Sequence, residues 1–306
     1  MNAIRRLAAL AVALLLLLLV AMIVTAAPRS ATPALPEQLH DTGLFASDQR
    51  ERPGAGVEPF EPQHPLWSDG ASKRRWIFLP PGTAIDASDP DRWRFPRGTK
   101  LWKEFSYGRR IETRYLELGA DGHWRFATYV WSADGRTARL APAGGLTLSV
   151  ADAPAGRYEV PSRDDCLACH AGARSPVLGV AALQLGPDLP RWVREGRVRH
   201  APPAWRDHAP AMTGRTEAER AARGYLHANC GHCHHGAGGV PVPLVLAQDV
   251  AGNAAPAPAQ LSEALSRMST RVPTQQMPPL GTRIPDPHGQ ALLRAWLDPV
   301  PVSSTR

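Results

Sequence analysis

The chain has little cysteine, only 4 residues in 306, and none of the four lies outside two short clusters. No thiol is left over for a structural disulfide, which excludes a disulfide-stapled scaffold. Runs of five or more Lys and Arg are missing, and the tryptophans are not interleaved with basic clusters. The 35 Lys+Arg against 28 Asp+Glu therefore describe a solvated basic surface, and no nucleic-acid partner is expected. No nucleotide-binding glycine loop and no clustered metal ligands occur between residues 57 and 160. Beyond residue 24 no long apolar run remains, so a multi-span membrane architecture is excluded. What is present is ordinary for a globular chain: 43% hydrophobic and 21% charged residues, with enough length for two domains.

The beginning is not ordinary. Arg5 and Arg6 precede an uncharged run from Leu7 to Val24, and Thr25, Ala26 and Ala27 follow. This pattern predicts export by a signal peptide over residues 1–27, cleaved before Ala27, or by an uncleaved signal anchor forming a single N-terminal span. Either way everything after residue 30 is expected in the periplasm, free or held to the inner membrane. No cysteine follows the run as a lipoprotein acceptor.

Residues 28–56, rich in proline and small polar side chains, read as a linker with a brief turn around Asp41 to Phe45. From 57 to 160 the texture changes, with short aromatic and β-branched runs at Arg75–Leu79, Lys103–Tyr107, Arg110–Leu118, His123–Trp131 and Leu146–Val150. Turn residues separate them, so the spacing predicts an antiparallel β-sandwich or barrel-like domain. Pro65-Leu66-Trp67-Ser68-Asp69-Gly70 stands out as a candidate binding notch, against the commoner use of such residues in turns and cores. Past Pro161 the aromatics thin out and helical signals dominate. The expected architecture is thus α+β in two domains, the β-rich one followed by a mainly helical one.

Both cysteine clusters lie in the helical part. They are Cys166-Leu167-Ala168-Cys169-His170 and Cys230-Gly231-His232-Cys233-His234, each reading C-x-x-C-H. Two thiols at this spacing on a turn of helix reach the two vinyl groups of one haem, and the adjoining imidazole meets the iron. A thioredoxin-like C-x-x-C explains neither the second cluster nor the repeated histidine. A zinc site favours cysteine pairs closer in sequence, and disulfides within each cluster would close loops too short to stabilise much. Two covalent haem c groups follow, on Cys166 and Cys169 with His170, and on Cys230 and Cys233 with His234. Their four propionates, and loss of Arg5 and Arg6, would bring the net charge of +7 close to neutral.

Around the second cluster, Thr216 and Glu219 form a capping box that opens a helix through Tyr225 and Leu226 into Cys230. Asp286 and Pro287 open another with Leu292, Leu293, Trp296 and Leu297 at helical spacing, and Gly224 is the expected point of close approach between the two. Between them prolines follow Met277 in a rigid loop. This order resembles the class I cytochrome c fold over about residues 215–300. The resemblance implies His234 as proximal and Met277 as distal ligand, with Met268 packed in the core. The first haem segment, 161–214, has a less defined frame. Met212 lies about as far beyond His170 as Met277 lies beyond His234, and His200 and His208 are rival distal ligands. His232 and His235 read as surface histidines rather than ligands, and His227 precedes the second cluster on its helix. Over residues 57–299 the chain also resembles a group of exported bacterial proteins that join a β-rich domain with a Pro-Leu-Trp-Ser-Asp-Gly segment to a dihaem region.

The leading functional expectation is a periplasmic carrier of single electrons between redox partners, a periplasmic redox protein or membrane oxidoreductase among them. A dihaem peroxidase, with one haem open to peroxide, and a cytochrome domain serving a periplasmic dehydrogenase are the alternatives.

Overall fold

The computed structural model describes residues 34–47, 49–236 and 240–298, so the export segment expected at 1–27 lies outside the described residues. Among the described residues no helix is long and apolar enough to cross a membrane. Pro36–Arg306 forms a single compact unit of mixed α and β structure, with most of its strands antiparallel and in the N-terminal half.

Six strands make the main sheet: β3 (Val57–Pro59), β4 (Ser72–Phe78), β6 (Lys100–Tyr107), β7 (Arg109–Leu118), β8 (Trp124–Trp131) and β9 (Ala138–Leu140). They pair antiparallel in the order β3-β4-β6-β7-β8-β9. The long strands β4, β6, β7 and β8 each overlap one of the runs predicted from the sequence, and the fifth run overlaps β10 (Leu146–Ser149), paired with β11 (Arg157–Val160).

The sheet does not close into the expected sandwich or barrel. Its two faces are covered by other means. On one face, the cross-strand neighbours Trp76, Trp102 and Tyr115 form an aromatic layer. It is capped by the hairpin β1 (Phe45–Ala46) and β2 (Gln49–Pro53) and a 3-10 turn at Leu39–Thr42. The Phe45 ring meets Trp76 and Trp131 edge-on, both at 6.4 Å, and the Trp102 indole N–H donates to the Thr42 hydroxyl at 2.9 Å. Edge-to-face pairs of this kind add about 0.5–1.5 kcal/mol each beyond their burial. The segment expected as a linker is therefore partly core, with Leu39, Leu44 and Phe45 buried.

On the other face, Ile77 and Leu101 pack against Val177, Val180 and helices α2 (Ala182–Leu185) and α3 (Asp188–Arg194). This core joins residues from Phe60 to Trp205. The composition shift near residue 161 is accordingly not a gap between bodies. A parallel pairing of β5 (Ile85–Asp86) with β12 (Val198–Arg199) ties the same two stretches together.

The C-terminal helices have their own core. α4 (Glu217–Asn229), α5 (Pro258–Ser269) and α6 (Pro287–Leu297) bury Ala222, Leu226, Leu261, Met268 and Leu293, with Tyr225 and Trp296 packed alongside. Thr216 caps α4 by accepting from the Glu219 N–H, while the Glu219 carboxylate accepts from Arg215 N–H rather than closing the box on Thr216. Asp286 caps α6, with Pro287 in its first turn.

The glycine that lets α4 and α6 approach is Gly289, not Gly224. A Cβ on Gly289 would sit 2.1 Å from Tyr225 Cζ, whereas one on Gly224 would strike the His64 ring at 2.3 Å. Overpacking typically costs about 1–3 kcal/mol. Gly289→Ala is expected to lower the urea midpoint by a loss of that order, and a second substitution, Tyr225→Ala, to give back part of it through non-additive coupling.

Candidate functional site

The first cysteine cluster occupies a helix, α1 (Arg163–His170), not separately foreseen in the sequence. Ser162 and Asp165 form a reciprocal capping box at its start, and Asp164 and Asp165 complement the helix dipole there. Cys166 and Cys169 are three residues apart and so share a face, with His170 closing the helix. The imidazole lies against Phe126 of β8, ring centroids 5.1 Å apart, and its Nδ1 donates to the Pro176 carbonyl at 2.6 Å. Burial, helped by the charges of Lys103 and Arg114, pushes His170 down to about 4, so the ring is neutral at pH 7. Burial also raises the Cys166 thiol.

The second cluster begins where α4 ends. Cys230 is the C-cap, and the chain turns so that Cys233 and His234 N–H both bond the Cys230 carbonyl, at 3.1 and 2.9 Å. The His234 carbonyl then accepts from Leu246 and Ala247. Gly231 is required at this turn, since a Cβ would lie 2.5 Å from the His227 carbonyl oxygen. Among the described residues His234 Nδ1 has no partner in hydrogen-bond geometry, although the ring feels the Leu244 backbone.

The two clusters, sixty residues apart in sequence, come together. The Cys169 and Cys233 thiols meet, and their mutual hydrogen bond raises Cys169 and lowers Cys233, which His232 lowers further. His235, expected at the surface, is instead buried, its Nε2 bonded to the Gly172 carbonyl at 2.7 Å. Arg174 forms an ion pair with Asp249 and donates to the His235 carbonyl.

The Pro65–Gly70 segment grips this assembly, its partner being the chain's own helical part. Asn229, the residue before Cys230, accepts from Trp67 N–H at 2.7 Å and donates to the carbonyls of Pro65 and Tyr225. The Trp67 indole donates to the Ile284 carbonyl at 3.2 Å, and the Asp69 carboxylate accepts from Arg283 N–H at 2.8 Å and Ile284 N–H at 3.1 Å. Asp69 adopts a left-handed φ of 53° to do so.

The remaining candidates are placed as follows. Met277 is half-buried, held by its N–H on the Arg267 carbonyl, in the loop whose far end is the Asp69-bound pair Arg283 and Ile284. Met268 is in the helical core. Met212 is buried, and its neighbour Thr213 bonds Gln248, which connects it to the Leu246–Gln248 stretch beside the second cluster. His200 is exposed and bonded to Asp86 at 3.0 Å, and His208 is exposed. His227 is enclosed in the helical part, where its Nδ1 accepts from Gln248 N–H at 3.1 Å and burial pushes it down to about 4. Asn229 was missed as a site residue, and Asp69 was singled out only as part of the candidate notch. The signal for each was its position, directly before Cys230 and directly before Gly70.

These residues can be tested for fit to a haem. A haem iron draws four ligands from its own ring and needs one or two from protein. The lack, among the described residues, of three His, Cys, Asp or Glu side chains grouped for a metal ion is therefore no obstacle. His170 fits the proximal role closely. Its Nδ1–H is engaged by a backbone carbonyl, the usual way of fixing the tautomer and leaving Nε2 free to ligate. At the second cluster the donor set is complete, but the orphaned Nδ1 of His234 lacks that supporting bond. No family model matches the chain, and neither a curated protein nor a solved structure matches it.

Two outcomes are expected from this geometry. Asp69→Ala removes bonds from an ionised acceptor worth about 1–3 kcal/mol and forces alanine into a conformation costing about 1–2 kcal/mol. Urea unfolding should show a larger loss for Asp69→Ala than for Asp69→Gly, which relieves the backbone alone. His227 titrates near 6.5 when unfolded and about 4 when folded. Its share of stability is whole above pH 6.5 and is lost as pH falls to 4, up to about 3 kcal/mol. His227→Gln, which keeps an acceptor for Gln248 N–H, should flatten that part of the stability–pH curve.

Proposed function

We propose that the chain is an exported dihaem c-type cytochrome that passes single electrons between periplasmic redox partners. The observation that carries this reading is the pair of C-x-x-C-H clusters at the ends of α1 and α4, with Cys169 touching Cys233 and the His170 Nδ1–H engaged by Pro176. A haem bound at each cluster supplies one-electron redox chemistry. Cys166, Cys169, Cys230 and Cys233 would hold the two groups by thioether bonds, His170 and His234 would be the proximal ligands, and Met277 the distal ligand of the second. Met212 is the corresponding candidate for the first.

The finer architecture belongs to the same reading. Helices α4 and α6 cross through Gly289 with the Met277 loop between them in sequence, the order of a class I cytochrome c domain, and the sheet is the module that precedes it. The large apolar side chains exposed among the described residues are Leu167, Val240, Val242, Val245, Val272 and Ile284. Leu167 lies inside the first cluster, three valines follow the second, and Val272 and Ile284 flank Met277. Apolar surface collected around the clusters suits contact with a haem and a partner's surface better than isolated exposure would.

Expression with a cytochrome c maturation system, followed by a pyridine haemochrome spectrum and haem quantification, is expected to give two covalent haems per chain. Replacing Cys166 and Cys169 with alanine should leave one. Met277→Ala should alter the spectrum of the remaining haem and lower its potential. A chain that matures with no haem would overturn the proposal and return the four thiols to redox chemistry of their own.

A further inference from the structure

The sheet face that carries the α2–α3 core changes character along its strands. Ile77, Leu101, Leu116 and Phe126 form an apolar cross-strand row. Two residues further along the same strands, Arg75, Lys103 and Arg114 stand directly opposite one another on β4, β6 and β7. Three aligned like charges repel, and natural sheets avoid the arrangement unless something neutralises it.

Little within the chain does so. Arg75 is only 8% exposed, and among the described residues its guanidinium has no ion pair or hydrogen bond. The Lys103 ammonium lies over the Phe105 ring at 4.9 Å and, among the described residues, forms no ion pair, although it feels the Glu112 charge. Arg114 alone is paired, with Glu112 at 2.7 Å. The other carboxylates felt here are Glu61 near Arg75, and Asp69 and Asp286 near Lys73. Asp69 and Asp286 are already committed to the Arg283–Ile284 and α6 N–H groups. The Tyr158 hydroxyl shares Glu112. Burial and the neighbouring cations hold the Lys103 ammonium well below its ordinary range. The row faces the first cluster: Phe126, in the next cross-strand row, touches His170, and the Arg114 charge is felt by Cys166, Cys169 and His170.

We propose that Arg75, Lys103 and Arg114 form a carboxylate-binding row that takes the propionate groups of the haem carried on Cys166 and Cys169. The inference rests on the dihaem reading above. It assigns the sheet a direct part in the haem site. A haem brings two carboxylates, which would offset most of the row's charge and remain ionised beside it. The same chemistry would also accept a free anion such as phosphate or citrate.

The test uses the mature holoprotein and its Arg75→Gln and Arg75→Lys variants, with haem quantified and both potentials titrated from pH 5 to 8. Met277→Ala marks which potential belongs to the second haem. In the wild type the first haem's potential is expected to change little with pH, because the cations keep the carboxylates ionised throughout. Arg75→Gln should lower that potential, since a positive charge favouring the reduced state is gone. It should also introduce a fall with rising pH as carboxylate protonation enters the range. Arg75→Lys should restore the flat profile, and the second haem should change in neither variant. Lys103→Gln, at the centre of the row, repeats the test should Arg75→Gln fail to fold.

Two haems per chain with wild-type profiles in the glutamine variants would overturn the proposal and leave the dihaem reading standing. A first cluster that matures without haem would remove both. In that case, thermal stabilisation of the wild type by phosphate or citrate, absent in Arg75→Gln, would reassign the row to a free anion.

Discussion

The amide of Asn229 is the interaction on which the arrangement of the site depends. It occupies the last position of α4, one residue before Cys230, and its oxygen and nitrogen both engage the Pro65–Trp67 backbone. Through it the segment leading into β4 is fixed to the end of the helix that presents the second cysteine cluster. Trp67 and Asp69 extend the grip to Ile284 and Arg283. A partly buried side-chain amide satisfied at both ends specifies one relative placement, because any slip leaves polar groups unpaired in a poorly hydrated seam.

From this follows the closeness of the two clusters. α1 is held against β8 by the packing of His170 on Phe126, and α4 is held through Asn229 to the segment that leads into β4, so both lean on the sheet or its immediate approach. The direct ties between Cys169 and Cys233, His235 and Gly172, and Arg174 and Asp249 complete an assembly whose parts are already positioned. Most of the ionisable groups enclosed there, among them His170, His227 and Cys166, shift toward their neutral forms for want of water. Arg75 cannot follow them, since a guanidinium does not deprotonate, and it keeps its charge at 8% exposure with Glu61 as the carboxylate it feels.

Local signals in the sequence were sufficient for local structure. Alternating apolar and aromatic residues revealed the four long strands, and Thr216, Asp286 and Pro287 located the starts of α4 and α6. α1 was less legible, although Ser162 and Asp165 carry a full capping box, because the helix buries no apolar stripe to betray its period. Leu39, Leu44 and Phe45 were hidden in a proline-rich stretch whose composition resembles a linker, and only the aromatic face of the sheet gives them a partner. The roles of Gly224 and Gly289 were exchanged for a similar reason: a glycine announces that something comes close, not what. The cationic row was illegible altogether. Arg75, Lys103 and Arg114 become neighbours through strand register, which is decided by contacts far apart in the chain.

The bond from Arg283 N–H to Asp69 joins residues 214 apart. A chain synthesised N-terminus first presents Asp69 long before Arg283 exists. The sheet and α1 can be assembled during that interval, and α4 can then take hold of Pro65 and Trp67 through Asn229, but the Asp69 carboxylate lacks its Arg283 and Ile284 partners until the chain is nearly complete. The Asp69 bonds are thus long-range contacts that close after the sheet beside them, at a loop-closure cost that their sequence separation sets.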